Sequence, residues 1–316
     1  MGLKTVVLNS ERMNYDGKLD LSVLSSEVKE YASTEQDQIL ERVQGMDVVV
    51  TKEMPVDGDT IARFPDSVQL ICEAGTGYNN IDIEAARARG ITVCNIPAYS
   101  TERVAHTAIM MILNLSSSMQ IQQAMLARGD RSNFTKCMQV SHVEVNGKVL
   151  GVVGAGTIGR EVIKVAQALG MKVLAYTRTP RADEDNLKYV SLEELLKQSD
   201  YISLHCPLTP QTRHMINKET IAMMKPTAYI INTGRGALID EPALIEALQE
   251  GRIAGAGLDV QETEPPVQDN PLYDMPNVIL TPHMGWKGLE TRQRLISILA
   301  ANIQAFDEGR PQNVVS

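Results

Sequence analysis

The chain has 316 residues, 43% of them hydrophobic, enough to fill two buried cores and so to suggest two domains. A formal net charge of −9 argues against a general nucleic-acid or anionic-membrane binder. No stretch reaches the ~18 uninterrupted apolar residues of a membrane helix, and four cysteines and five histidines are dispersed without metal-type spacing, so no metal is expected.

The opening MGLKTVVLN reads as a first strand. It lacks the charged start, apolar stretch and cleavage site of a secretory leader, and Val6 stands where a myristoylation signal requires Ser or Thr. Short apolar runs at 5–8, 47–51, 68–72 and 91–94 alternate with helical segments. In the last such segment Asp82 caps a helix through Arg89, with Gly90 at its end. This alternation predicts a parallel, doubly wound α/β sheet. Residues 101–115 form a long, largely apolar helical pattern, and 116–142 are more polar, an excursion suited to subunit contact. Cys72, Cys94 and Cys206 end apolar runs and are expected to be reduced packing residues, as in a cytoplasmic protein.

Residues 151–159 read Gly-Val-Val-Gly-Ala-Gly-Thr-Ile-Gly. A strand-like run (148–153) precedes them, a helix (158–169, ended by Gly170) follows, and a second apolar run spans 172–176. In that setting Gly154, Gly156 and Gly159 allow a tight turn, close approach of a pyrophosphate and close helix packing, with Thr157 and Ile158 at the helix start. Further strands are expected at 201–204, 228–232, 254–259 and 278–280. A final helix at 289–307, ended by Gly309 and Pro311, has no strand left to pair with and is expected to return to the first domain. The boundaries are 100–286 for a dinucleotide-binding domain and 1–99 plus 287–316 for a substrate domain.

Three residues follow three successive strands of the second unit: Arg235, Glu264 and His283. Parallel strands project all three from one carboxyl edge, where open α/β sheets bind ligands. A guanidinium grips carboxylate and carbonyl oxygens, an imidazolium protonates a carbonyl as hydride reaches carbon, and a carboxylate orients the imidazole and favours its charge. The set suits reduction of a 2-oxo acid. Singly, each also reads as a turn arginine, a loop charge and a strand-end histidine.

These features resemble the D-isomer-specific 2-hydroxyacid dehydrogenases over nearly the whole chain. The matching segments are EAGTGYNNID (73–82), LHCPLTPQTRHMI (204–216), INTGRGALID (231–240), AGLDVQETEPP (256–266) and ILTPHMGW (279–286). The resemblance implies a Rossmann domain inserted into a flavodoxin-like substrate domain, a homodimer, and a catalytic set falling on Arg235, Glu264 and His283. It places the substrate-carboxylate loop on Thr76 and Gly77, whose N–H groups would donate. It also implies nicotinamide-side contacts at Thr233 and Asp259 and an adenosine side bordered by His205, Pro207 and Thr212. Hinges are expected at 97–101 and 285–288.

The fingerprint predicts an acid after the second strand to accept from the ribose of NAD. Here the chain reads Tyr176-Thr177-Arg178-Thr179, with Thr177 at the acid's position and Arg178 able to pair with a 2′-phosphate, so NADP(H) is favoured over NAD(H). The segments 95–105 and 286–295 resemble the glycerate dehydrogenase/hydroxypyruvate reductase branch, which implies hydroxypyruvate or glyoxylate as substrate. His106 stands where that branch usually carries Glu or Gln, either altering a contact at the domain junction or lying on a helix surface. Two other readings are a dinucleotide-sensing co-repressor of the same fold and a dehydrogenase for another D-2-hydroxy acid. Glu264 disfavours a formate-oxidising relative, which carries glutamine there.

Overall fold

Strands β1 (Lys4–Val7), β2 (Glu27–Glu30), β3 (Val48–Thr51), β4 (Leu70–Glu73) and β5 (Thr92–Cys94) form a parallel sheet in the order β2-β1-β3-β4-β5. The structure is a computed structural model and describes residues 2–179 and 181–316. The chain divides into two compact units, Met1–Ser100 with Trp286–Ser316, and Thr101–Gly285.

In the first unit the inner strands are buried on both faces, which is why they read as unbroken apolar runs. Val7, Val48, Val50, Leu70 and Cys72 face a layer that includes Leu295, Leu299 and Ile303 of the helix Leu289–Asp307. Val6, Val49, Ile71 and Val93 face the opposite layer with Ile39, Val43 and Ile61. Asp82 caps the helix Ile83–Ala88, accepting from the Ala85 N–H at 2.9 Å.

The second unit carries β6 (Val149–Val153), β7 (Lys172–Tyr176), β8 (Leu187–Tyr189), β9 (Tyr201–Leu204), β10 (Tyr229–Asn232), β11 (Gly255–Leu258) and β12 (Val278–Leu280). All are parallel, in the order β12-β11-β10-β9-β6-β7-β8. The order reverses between β6 and β9, so the loops beyond their carboxyl ends border one crevice, the position for a ligand in an open α/β sheet. One face packs on the helices Thr101–Ser116 and Thr157–Ala168 through Ala105, Ala108, Ile112 and Val162. The other packs on the helix Glu241–Gln249 through Leu244, Ala247 and Leu248.

Two strands do not follow from apolar patterning. β2, Glu-Val-Lys-Glu, is mostly exposed at one sheet edge, and three-residue β8 closes the edge of the other. The helix after the glycine motif begins at Thr157 because Gly156 occupies its N-cap. Residues 116–142 contain two helices, Met119–Ala127 and Ser132–Thr135, the first with no buried residue. Among the described residues no helix is long and apolar enough to cross a membrane.

Candidate active site

The glycine motif turns where β6 meets the helix Thr157–Ala168. Gly154 adopts φ +99°, and a Cβ built on it would lie 2.7 Å from the Cys206 amide nitrogen and 2.8 Å from the His205 carbonyl oxygen. The backbone after β9 therefore closes directly over that residue. Gly156 has open space where a Cβ would point, and Gly159 is buried behind it. Thr157 is exposed and Ile158 partly so, at the start of a 12-residue helix whose N-terminal amides and dipole suit a pyrophosphate.

β7 ends against the same turn, with the Gly154 N–H donating to the Tyr176 carbonyl at 2.9 Å. Thr177 and Arg178 follow immediately. The Thr177 hydroxyl donates to the Thr179 carbonyl at 2.7 Å, and Arg178 is exposed. On the β9 side, His205 Nε2 lies 2.7 Å from Ser203 Oγ, and burial holds the imidazole pKa down to about 4. Thr212 donates to the Pro207 carbonyl at 2.7 Å and accepts from the Thr209 N–H at 2.8 Å, closing the 207–212 turn.

Beyond β10, the fully buried Asn232 pins the next loop. Its Nδ2 donates to the Arg235 carbonyl at 2.9 Å and its Oδ1 accepts from the Gly234 N–H at 3.0 Å. Arg235 is partly exposed and spends one N–H on the Gly234 carbonyl at 2.9 Å, leaving most of its five donors for a ligand. A Cβ on Gly236 would lie 1.8 Å from the Gln261 carbonyl oxygen, so the Arg235 loop packs tightly against the loop after β11. In that second loop the Gln261 N–H donates to Glu264 Oε1 at 3.1 Å. The other carboxylate oxygen of Glu264 lies 2.8 Å from His283 Nδ1, with the two side chains 35% and 24% exposed.

His283 itself has φ 47°, left-handed and uncommon for a residue with a side chain. Its N–H donates to the Asp259 carbonyl at 2.9 Å and to that of Thr281 at 3.0 Å. Asp259, 1% exposed, fixes the surrounding loop: its carboxylate accepts from the Thr281 hydroxyl and from the N–H groups of Met284 and Gly285, each of the latter at 2.8 Å. Asp259, expected as a nicotinamide-side residue, here anchors the histidine loop. That function has no sequence signal, because it depends on β11 and β12 ending side by side. Thr233 Oγ1 is buried with no hydrogen-bond partner among the described residues. An orphaned hydroxyl at this edge and a glycine cradle at the switch point fit a dinucleotide with an amide at one end.

Thr76 and Gly77 lie in the first unit, just beyond β4. Thr76 is exposed, its hydroxyl donating to the Ile96 carbonyl at 2.9 Å and its carbonyl accepting from Asn95 Nδ2 at 2.8 Å. Neither the Thr76 nor the Gly77 N–H donates to another group among the described residues. His106 lies exposed on the helix Thr101–Ser116. Among the described residues no group of three or more His, Cys, Asp and Glu could hold a metal.

Residues 109–285 match the family described as the D-isomer-specific 2-hydroxyacid dehydrogenase, NAD binding domain. Over 287 residues the chain is 41% identical to a hydroxypyruvate reductase of Blautia hydrogenotrophica, covering 90% of this chain and 89% of that one. It is 42% identical over 294 residues to a glycerate dehydrogenase of Methylorubrum extorquens, covering 92% of each. Among solved structures, a glyoxylate reductase from Paecilomyes thermophila superimposes with a TM-score of 0.84 at 32% identity, covering 99% of this chain and 98% of that one.

Proposed function

Because the chain belongs to the D-isomer-specific 2-hydroxyacid dehydrogenase family, we propose that it reduces a small 2-oxo acid to the D-2-hydroxy acid, with hydroxypyruvate and glyoxylate as first substrates and NADP(H) as cofactor. Carrying this assignment is the His283–Glu264 pair at 2.8 Å, set on the carboxyl edge of the dinucleotide sheet beside the Arg235 loop. When bound, the nicotinamide dinucleotide supplies the hydride. With Nδ1 engaged by Glu264, His283 presents Nε2 to hand a proton to the substrate carbonyl oxygen. Glu264 orients the ring through Nδ1. Arg235 grips the substrate's oxygens with its remaining guanidinium N–H groups, and the amides of Thr76 and Gly77 take the carboxylate. In the oxidative direction a neutral His283 accepts the same proton from the hydroxyl.

The NADP(H) assignment rests on Thr177 and Arg178. Residues 176–179 at the end of β7 carry no carboxylate to repel a 2′-phosphate, and the exposed Arg178 supplies a guanidinium. The protein acts as a homodimer in the reducing cytoplasm. Supporting the second copy are Met119, Leu126, Phe134 and Met138, all exposed on the 116–142 excursion, Phe134 by 76%. Supporting the compartment are the four free cysteines.

Initial rates of NADPH and NADH oxidation against hydroxypyruvate, glyoxylate, pyruvate and phenylpyruvate test these assignments. The expected pattern is NADPH over NADH and the first two acids over the last two. Arg178→Ala should weaken NADPH about tenfold or more and leave NADH nearly unchanged, the loss of one charge-assisted contact. A clear wild-type preference for NADH would sink the cofactor assignment, and phenylpyruvate as best substrate the substrate assignment.

A further inference from the structure

β3 and β4 pair so that Thr51 lies opposite Glu73, and both chains leave the sheet together: Lys52-Glu53 from β3, Ala74-Gly75 from β4. Lys52 is 2% exposed and Glu73 fully buried. The Lys52 ammonium lies 2.8 Å from Glu53 Oε1 and 4.1 Å above the centre of the Trp286 ring. Glu73 accepts from the Thr51 hydroxyl at 2.8 Å, Asn80 Nδ2 at 2.9 Å and the Glu53 N–H at 2.9 Å. Burial raises its carboxyl pKa above the ordinary carboxylate value, against the opposing pull of Lys52 and these donors. A Cβ placed on Gly75 would lie 3.1 Å from both Lys52 Nζ and Glu73 Oε1. Both charged groups therefore sit directly beneath the start of the Gly75-Thr76-Gly77 turn.

A buried ammonium is expensive to desolvate, and an apolar side chain of similar length would commonly stabilise such a site as well or better. Glu73 already accepts from three donors, none of them Lys52. The charge of Lys52 is therefore explained by what lies above it more than by stability. The Glu73 carboxyl stands at the base of a turn assigned to bind a carboxylate, with Glu53 paired to Lys52 next to it, and like charges at that range repel strongly in a poorly solvated setting.

We infer that Lys52 is a positioning residue for the substrate carboxylate, its buried ammonium offsetting Glu53 and Glu73 so that the 75–77 turn accepts an anion. This rests on reading the chain as a 2-oxo acid reductase with its carboxylate loop at Thr76 and Gly77. Trp286 is the platform that keeps the cation desolvated yet stabilised, through the negative face of its ring. Because the ammonium acts through the turn, its effect falls on binding of anionic ligands and not on hydride or proton transfer.

Lys52→Met, Lys52→Arg and Glu53→Gln test it, with oxamate as an anionic probe, oxamide as its neutral counterpart, and glyoxylate turnover. Lys52→Met should raise the glyoxylate KM and the oxamate Ki tenfold or more, with kcat within about threefold and dinucleotide Kd unchanged. Lys52→Arg, keeping the charge, should stay within about threefold of wild type. Glu53→Gln, which keeps the side chain's size and removes its charge at a partly exposed position, should tighten oxamate severalfold, and oxamide should respond to none of the changes. An unmoved oxamate Ki in a folded Lys52→Met protein overturns the inference. So does an arginine variant as weak as the methionine one. If Lys52→Met does not fold, an unmoved Ki in Glu53→Gln overturns it alone. Wild-type protein that neither reduces a 2-oxo acid nor binds oxamate overturns the functional reading and this inference with it, whereas active wild type with unmoved variants removes only the role of Lys52.

Discussion

Asp259 and His205 show what single side chains just beyond strand ends do to the fold around them. Asp259 holds His283 in a left-handed conformation by bonding the loop on both sides of it, so the imidazole is presented by backbone geometry as well as by Glu264. His205 sits beside the glycine turn with a pKa held down to about 4 by burial. In an unfolded chain the same side chain titrates near 6.5. As pH falls through that window the unfolded chain takes up a proton that the folded one refuses, so stability is lost on acidification and the loss is complete below about 4. The penalty reaches roughly 3 kcal/mol at most, less any relief from its partial exposure. His205→Asn should flatten that part of the stability profile in urea titrations from pH 7 to 4. An unchanged slope would show that His205 is not the group responsible.

At the level of the element, the β6 turn depends on glycine conformation, and the proposed cofactor site depends on that turn. An alanine at Gly154 must bear φ +99° and push its Cβ into the backbone of residues 205–206, so the turn and the β9 loop have to separate. Gly154→Ala should weaken NADPH by tenfold or more in a fluorescence titration, and full affinity would contradict the cradle drawn here. The inner strands of both sheets were legible as apolar runs because both faces are buried. β2 and β8 were not, since an exposed Glu-Val-Lys-Glu edge has no pattern to distinguish it from a loop. The site divides in the same way. That Arg235, Glu264 and His283 come together beyond three strand ends was legible because each follows a recognisable strand. The anchoring by Asp259 and the Lys52–Glu73 cluster depend on which strand ends become neighbours, and strand order and register lie outside local pattern.

For the molecule as a whole, the excursion at 116–142 exposes Met119, Leu126, Phe134 and Met138. Beside it lies a cavity of about 640 Å³ lined by Leu115, Ile121, Tyr201 and Tyr229, and its helix Met119–Ala127 buries none of its own residues. A second copy covering this surface predicts a solution mass near twice 34.7 kDa by light scattering. Phe134→Ser with Met138→Ser should shift it toward the monomer, and a monomeric wild type at micromolar concentration would contradict the dimer. The central claim is that His283, oriented by Glu264, delivers the proton in 2-oxo acid reduction. Its most direct test is NADPH-dependent hydroxypyruvate and glyoxylate reduction by wild type and His283→Ala. The account predicts turnover by the wild type and a loss of about 10²-fold or more in kcat for the variant, with cofactor affinity retained. Undiminished turnover in His283→Ala would contradict it.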